Sequence, residues 1–246
     1  MEYLIRVTLI GLASGIIGTS IGGLMAFFIN DISNRFMSLI LEFSAGIMTS
    51  VVCFELIPEA FRLGSAGLAF FGMFAGVCAV ILFENMLSKA AVFKRTHRGD
   101  KLLQTGILTA MGIALHNFPE GFAVGSGFEA SASLGFTLTL VILIHDIPEG
   151  VAMAVPMRAG GFSKMKAFLI TVLSGVPMGL GALAGAVLGE LSQLFIPVCL
   201  GFAAGAMLYI VCAEIVPQSK RLYAGRLPSL GNVIGILCGI LVTIYN

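Results

Sequence analysis

Two six-residue segments, His116-Asn117-Phe118-Pro119-Glu120-Gly121 and His145-Asp146-Ile147-Pro148-Glu149-Gly150, repeat one chemical pattern within adjacent apolar stretches. Each sets an imidazole and a carboxylate four residues apart, which on a helix places both on one face, about 6 Å apart along the axis. A proline stands between them in both copies. Imidazole nitrogen beside carboxylate oxygen suits divalent first-row transition metals, whereas magnesium and calcium prefer shells of oxygen alone. Zinc(II) and iron(II) are the first candidates, and manganese and cadmium fit the same donors. The expected primary metal site is His116, Glu120, His145 and Glu149. Asn117 and Asp146, one position on from each histidine, are expected to help form a neighbouring or exchange site.

Glu120, Asp146 and Glu149 fall inside apolar runs, and an acidic side chain at the centre of a membrane-spanning helix costs about 2.5 to 3.5 kcal/mol. Such groups neutralise, pair or bind a cation. With no Lys or Arg expected at the same depth, protonation or a bound cation is left. Pro119 frees the carbonyl of Leu115 and Pro148 that of Ile144, while Gly121 and Gly150 add close approach and conformational freedom. Two broken helices lining a cavity are the expected consequence. One such motif alone would read as a kinked helix with a buried polar pair; two copies on antiparallel neighbours, using two of the chain's three histidines, outweigh that reading. The absence of cysteine from the motifs also fits a site that must release its ion, because structural zinc sites hold metal by about 10 to 16 kcal/mol.

The elements that carry these motifs follow from composition. The chain is 58% hydrophobic and 11% charged, with 31 glycines and a mean hydropathy of +1.02, well outside the soluble globular range. Apolar runs predict an all-α membrane protein with eight spans at about 4–27, 36–58, 66–88, 104–127, 131–157, 165–188, 193–216 and 228–245. The intervening loops are too short for a second domain, so 1–246 reads as one transmembrane domain. The first run continues for a full span without a small-residue cleavage pattern, so no cleavable signal peptide is expected. Arg35, then Lys89, Lys94, Arg95, Arg98 and Lys101, then Arg158, Lys164 and Lys166, then Lys220, Arg221 and Arg226 fall on one side; only Arg6 and Arg62 fall on the other. By the positive-inside rule both termini are extracytoplasmic. The net charge of +1 points to no nucleic-acid partner, and the basic third loop reads as a topology signal and lipid-headgroup contact. Cys53, Cys78, Cys199, Cys212 and Cys238 show no CxxC spacing and read as small buried hydrophobes, with a thiolate ligand at Cys53 or Cys212 as the alternative.

The chain also repeats itself. Phe43-Ser44-Ala45-Gly46-Ile47-Met48 leading to Cys53-Phe54-Glu55-Leu56-Ile57-Pro58 matches Phe202-Ala203-Ala204-Gly205-Ala206-Met207 leading to Cys212-Ala213-Glu214-Ile215-Val216-Pro217, and Ser14-Gly15 echoes Ser174-Gly175. The matched spans run in opposite directions, so the plan is three helices, a central pair, then three helices in inverted repeat. Inverted repeats around a polar midplane site are a transporter signature. Glu55 and Glu59 are then candidates to attract metal at the outer mouth, and Glu214 to receive it on release. Met48 and Met207 are candidates to line the path, against the commoner role of core packing. Glu42 and Glu84 are expected to snorkel to headgroup water.

The two central motifs, the FSAG…ELIPEA and FAAG…EIVP segments and the eight-span outline together resemble the ZIP (Zrt/Irt-like protein) family of metal-ion transporters. The resemblance implies uptake of zinc and related divalent metals into the cytosol across the plasma (inner) membrane, a three-plus-two-plus-three arrangement, often a dimer, and metal ligands at His116, Asn117, Glu120, His145, Asp146 and Glu149. Two departures stand out. Met178 occupies a position where several members carry an acidic residue that helps hold a second metal, which counts against a binuclear centre; and the loop after span three, histidine-rich in many members, offers only His97. No GxxxxGK[ST] motif is present, so no nucleotide partner is expected. The competing class is a membrane-embedded metalloenzyme, since carboxylates and histidines on antiparallel helices also build di-iron centres; neither the ExxH of such centres nor the HExxH of a zinc protease occurs.

Overall fold

The computed structural model describes residues 1–28, 33–90 and 98–245. Among these residues the chain is helical without a strand: α1 (Glu2–Phe28), α2 (Asn34–Val51), α3 (Ile57–Leu63), α4 (Ala66–Ala90), α5 (Arg98–Ala130), α6 (Ala132–Ala159), α7 (Lys164–Ser174), α8 (Val176–Leu191), α9 (Phe195–Ile210), α10 (Val216–Leu222) and α11 (Leu227–Tyr245), with π-helical segments at Val52–Leu56 and Val211–Ile215. Six helical stretches among the described residues, Glu2–Met25, Asn34–Leu63, Ala66–Met86, Ala132–Ala159, Lys164–Leu191 and Phe195–Leu222, are long and apolar enough to cross a membrane. The other two expected spans coincide with α5 and with the shorter apolar helix Leu227–Thr243. Lys94, Arg95 and His97 lie outside the described residues, as do the side chains of Lys89, Arg98 and Lys101.

Local sequence sets the helix ends. Ser33, Ser131 and Ser163 each adopt extended backbone and accept a hydrogen bond from the amide three residues on, capping α2, α6 and α7. The second and seventh stretches run past the expected span ends at about 58 and 216, through Pro58 and Pro217. Each proline sits in the first turn of a new helix, where no amide hydrogen is needed. The preceding turn widens so that Ile57 N–H reaches the Val52 carbonyl and Val216 N–H reaches that of Val211. These two π-helical turns occupy matching positions in the repeats and carry Glu55 and Glu214. Single π-turns inserted into α-helices are frequent at functional sites.

The central helices differ from expectation in the opposite sense. α5 and α6 continue unbroken through Pro119 and Pro148. Among the described residues the only positive-φ glycine is Gly161. Gly121 and Gly150 are therefore ordinary helical residues used for close approach, not hinges. A Cβ on Gly121 would lie 1.9 Å from the Met178 carbonyl oxygen on α8, and one on Gly150 would lie 2.3 Å from that of Thr19 on α1. These glycines let α8 lie against α5 and α1 against α6.

The helices pair in a repeated pattern: α5 with α8, α6 with α1, α2 with α11, and α4 with α9. Contacts of α5 with α9 and of α2 with α6 join the pairs. The core lies on α2, α5, α6 and α9. Phe70, Phe71 and Phe74 of α4, and Ile234, Leu237 and Leu241 of α11, point outward and are half or more exposed. An apolar outer surface of this kind suits bilayer hydrocarbon as its solvent. All five cysteines are free, and only Cys199 is fully buried; Cys53 and Cys212 are exposed, contrary to their reading as buried hydrophobes. Both sit on the π-helical turns, outside the packed seam.

Candidate metal centre

α5 and α6 run side by side and bring Glu120, His145 and Glu149 together, each offering a donor atom within 4.8 Å of the others. Glu120 and His145 are completely buried and Glu149 nearly so. His145 Nε2 lies 3.1 Å from Glu120 Oε1, and its Nδ1 lies 3.1 Å from the Val141 carbonyl oxygen. That oxygen only accepts, so Nδ1 must donate to it, and the remaining nitrogen faces the carboxylates. An imidazole held this way presents the lone pair that a metal requires. The His145 carbonyl accepts from the Ser44 hydroxyl of α2 at 3.1 Å, tying the motif to the neighbouring repeat.

Five buried carboxylate oxygens at this place have no hydrogen-bond partner: Glu120 Oε2, both oxygens of Asp146 and both of Glu149. Leaving one buried acceptor unpaired costs about 1 to 3 kcal/mol, and more when it is charged. A cation held among Glu120, His145 and Glu149 would offer the glutamate oxygens one shared charge centre. Asp146 Oδ1 is 3.7 Å from His145 Nε2, and its other oxygen lies beside Gly18 of α1, where a Cβ would meet it at 3.2 Å. Asp146 thus borders the group on its α1 side.

His116 and Asn117 are committed elsewhere. His116 Nε2 lies 3.0 Å from Glu214 Oε2, and its Nδ1 has no partner. Glu84 of α4 in turn touches Glu214 and accepts from the Tyr209 hydroxyl at 3.2 Å. A string of polar groups, Glu84, Glu214 and His116, therefore leads from α4 to the helix that carries Glu120. Asn117 Nδ2 donates to the Ser174 carbonyl at 2.6 Å. At the break between α7 and α8 the Met178 amide turns to Gly175, so Ser174 loses its usual helical partner and Asn117 supplies one. The Asn117 oxygen is left unpaired.

Other expected residues fall as follows. Glu55 is partly exposed on its π-helical turn. Glu59 accepts from Arg62 Nε at 2.6 Å, which compensates its charge. Met48 and Met207 are fully buried in the core. Met178 is also fully buried, its sulfur accepting from the Ser14 hydroxyl at 3.2 Å. Glu42 does not reach headgroup water: it is buried and accepts from Asn232 Nδ2 of α11 at 3.0 Å. Glu84 departs from the same expectation by pairing with Tyr209. The sequence signal for both was an acid within an apolar run, the pattern that marks a functional or paired group in a membrane protein.

Apolar helices able to cross a membrane, enclosing a buried imidazole–carboxylate group short of positive charge, define an integral membrane protein with a cation-competent interior. Residues 94–245 match the family described as ZIP Zinc transporter. The chain is 35% identical over 240 residues to the zinc transporter ZupT of Chlorobium luteolum, covering 89% of this chain and 90% of that protein. It is 33% identical over 233 residues to the ZupT of Shigella flexneri, covering 91% and 89%. The match to the ZupT of Corynebacterium aurimucosum, 36% over 135 residues, spans only about half of that relative's length, 51%. The chain belongs to the ZIP family.

Proposed function

We propose that this protein is a transporter, not an enzyme, that carries divalent transition-metal ions, zinc first, into the cytosol across the plasma membrane. The observation that carries this reading is the buried Glu120, His145 and Glu149 group with its unpaired oxygens. Mixed nitrogen and oxygen donors on neighbouring helices suit iron(II), manganese and cadmium as well. The relatives' names, zinc transporter, support zinc as the cargo and speak against the metalloenzyme reading.

Eight spans in a three-plus-two-plus-three inverted repeat, with both termini extracytoplasmic, put the group near the bilayer midplane. The pairing of α5 with α8 and α6 with α1, and of α2 with α11 and α4 with α9, supports that plan, because each pair is the repeat image of another. In this reading the six motif residues hold the ion in turn, and His116 hands it to Glu214, with Glu84 beyond. A divalent ion entering an inside-negative cell gains about 4.6 kcal/mol per 100 mV, twice the single-charge value, so no nucleotide is required. A homodimer is the assembly that the family resemblance implies.

The test is radiotracer uptake by protein reconstituted into vesicles holding no other substrate, for zinc, iron(II), manganese and cadmium at two imposed potentials. Time-dependent accumulation above protein-free vesicles is expected, with zinc strongest. Metal binding without accumulation at either potential overturns the transport reading. Glu214→Gln keeps the shape but removes the charge opposite His116. Uptake is expected to fall about tenfold, since hydrogen bonds to charged groups contribute about 1.5 to 3 kcal/mol, while equilibrium zinc binding stays near wild type. Unchanged uptake in that variant removes Glu214 from the path.

A further inference from the structure

A cavity of about 380 Å3 lies between α4, α5, α8 and α9, walled by Ala79, Phe83, Leu115, Phe118, Pro177 and Phe202 among others. Every side chain lining it is apolar. Its size falls in the range of about 300 to 1,000 Å3 that ligand pockets occupy. Water is a poor occupant, because a buried water needs about 2 to 4 polar partners. Nor does emptiness suit it, since the cost of an apolar void grows with its volume.

What fills it is indicated by where it opens. Phe83, at the rim, is half exposed, and its neighbours Leu82 and Met86 on α4 are more exposed still. This is the outward surface of a helix long and apolar enough to cross a membrane, so the rim is continuous with the surface that hydrocarbon covers. Among the described residues α4 and α5 make few direct contacts with each other, which leaves a lateral slot between them. The geometry points to a binding site for one acyl tail of a membrane phospholipid, inserted between α4 and α5 as far as Phe202.

The tail lies against Leu115, Phe118 and Pro119, on the same turns of α5 that carry His116 and Glu120. It serves as a deformable filler where the pair α4 and α9 meets the pair α5 and α8. The site's occupant is independent of the transport reading, and its test uses no metal.

The chain has no tryptophan, so a single one reports without background. Phe202→Trp places the reporter at the inner wall, and Phe71→Trp places it on the outer surface, where Phe71 is 64% exposed. Each variant is reconstituted into vesicles of phosphatidylcholine brominated on the acyl chain, and quenching is compared with unbrominated vesicles. Quenching at Phe202→Trp is expected to reach at least half of that at Phe71→Trp. Adding Ala79→Leu, which fills the slot, is expected to reduce quenching at Phe202→Trp severalfold while leaving Phe71→Trp unchanged. If Ala79→Leu disturbs the Phe71→Trp signal, Ala114→Leu fills the slot from the α5 side. Quenching at Phe202→Trp well below half, or quenching insensitive to both fillers, overturns the site. Quenching by brominated free fatty acid but not by brominated phosphatidylcholine overturns the assignment to a phospholipid.

Discussion

Glu120→Ala and His145→Ala are each expected to abolish zinc uptake and to weaken equilibrium zinc binding by more than about a hundredfold, because loss of a mere supporting partner already costs 10- to 100-fold. Both side chains are completely buried and face each other at 3.1 Å, so no solvent group replaces the missing donor. Glu149→Ala belongs to the same class, and pairs of these changes are expected to cost little more than one alone, since donors to a single ion act as a unit. Asp146→Ala, at the border of the group, is expected to cost about tenfold in affinity, the lower end of the supporting-partner range. The informative comparison is His116→Ala. His116 is held by Glu214 and lies outside the group of three, so uptake should suffer while equilibrium binding changes far less than for His145→Ala. Chelator-competition titration of the purified variants, beside uptake in vesicles, measures both. If His116→Ala loses as much zinc affinity as His145→Ala, the ion rests on all four residues and the division drawn from this geometry fails.

That division marks the limit of what the motifs reveal. The pattern HxxPEG, read twice, identifies which helices meet and which side chains are candidates, because helical spacing alone puts histidine and glutamate on one face. It cannot tell which imidazole turns inward. His116 is drawn aside by Glu214, which is distant in sequence, and the choice belongs to tertiary packing. The same holds for Glu42 and Glu84: depth in an apolar run is legible, but Asn232 and Tyr209, which pair with them, come from helices more than a hundred residues away. Helix ends were obscured by a local rule. The apolar runs read as ending at about 58 and 216, yet a widened turn before Pro58 and Pro217 lets each helix continue. The exposure of Cys53 and Cys212 is hidden in the sequence for a different reason. In a helix apolar on both faces, periodicity no longer distinguishes the packed side from the lipid side.

Small residues, not ligands, supply the second large effect. Gly121→Ala adds one methyl group and removes no donor, yet it is expected to suppress uptake by more than about tenfold and to destabilise the protein by about 3 kcal/mol, the upper part of the overpacking range. The added carbon would lie 1.9 Å from the Met178 carbonyl oxygen and 2.8 Å from its Cα, where ordinary contact begins at 3.4 Å. The obstacle is backbone, so no side-chain rotation relieves it, and α8 must withdraw from α5. Withdrawal also pulls the Ser174 carbonyl, at the end of α7 just before α8, away from Asn117, whose hydrogen bond to it is only 2.6 Å long. The adjacent Glu120 then loses its fixed position against His145. Gly67→Ala provides the contrast: a Cβ there meets nothing nearer than the Ser65 hydroxyl at 3.8 Å. In a helix that exchange favours stability by about 0.5 to 1 kcal/mol. Thermal unfolding of the purified variants in detergent, together with zinc uptake, should therefore separate them in opposite directions. Equal melting temperatures for Gly121→Ala and wild type would show that the close approach of α5 and α8 does not hold the site together.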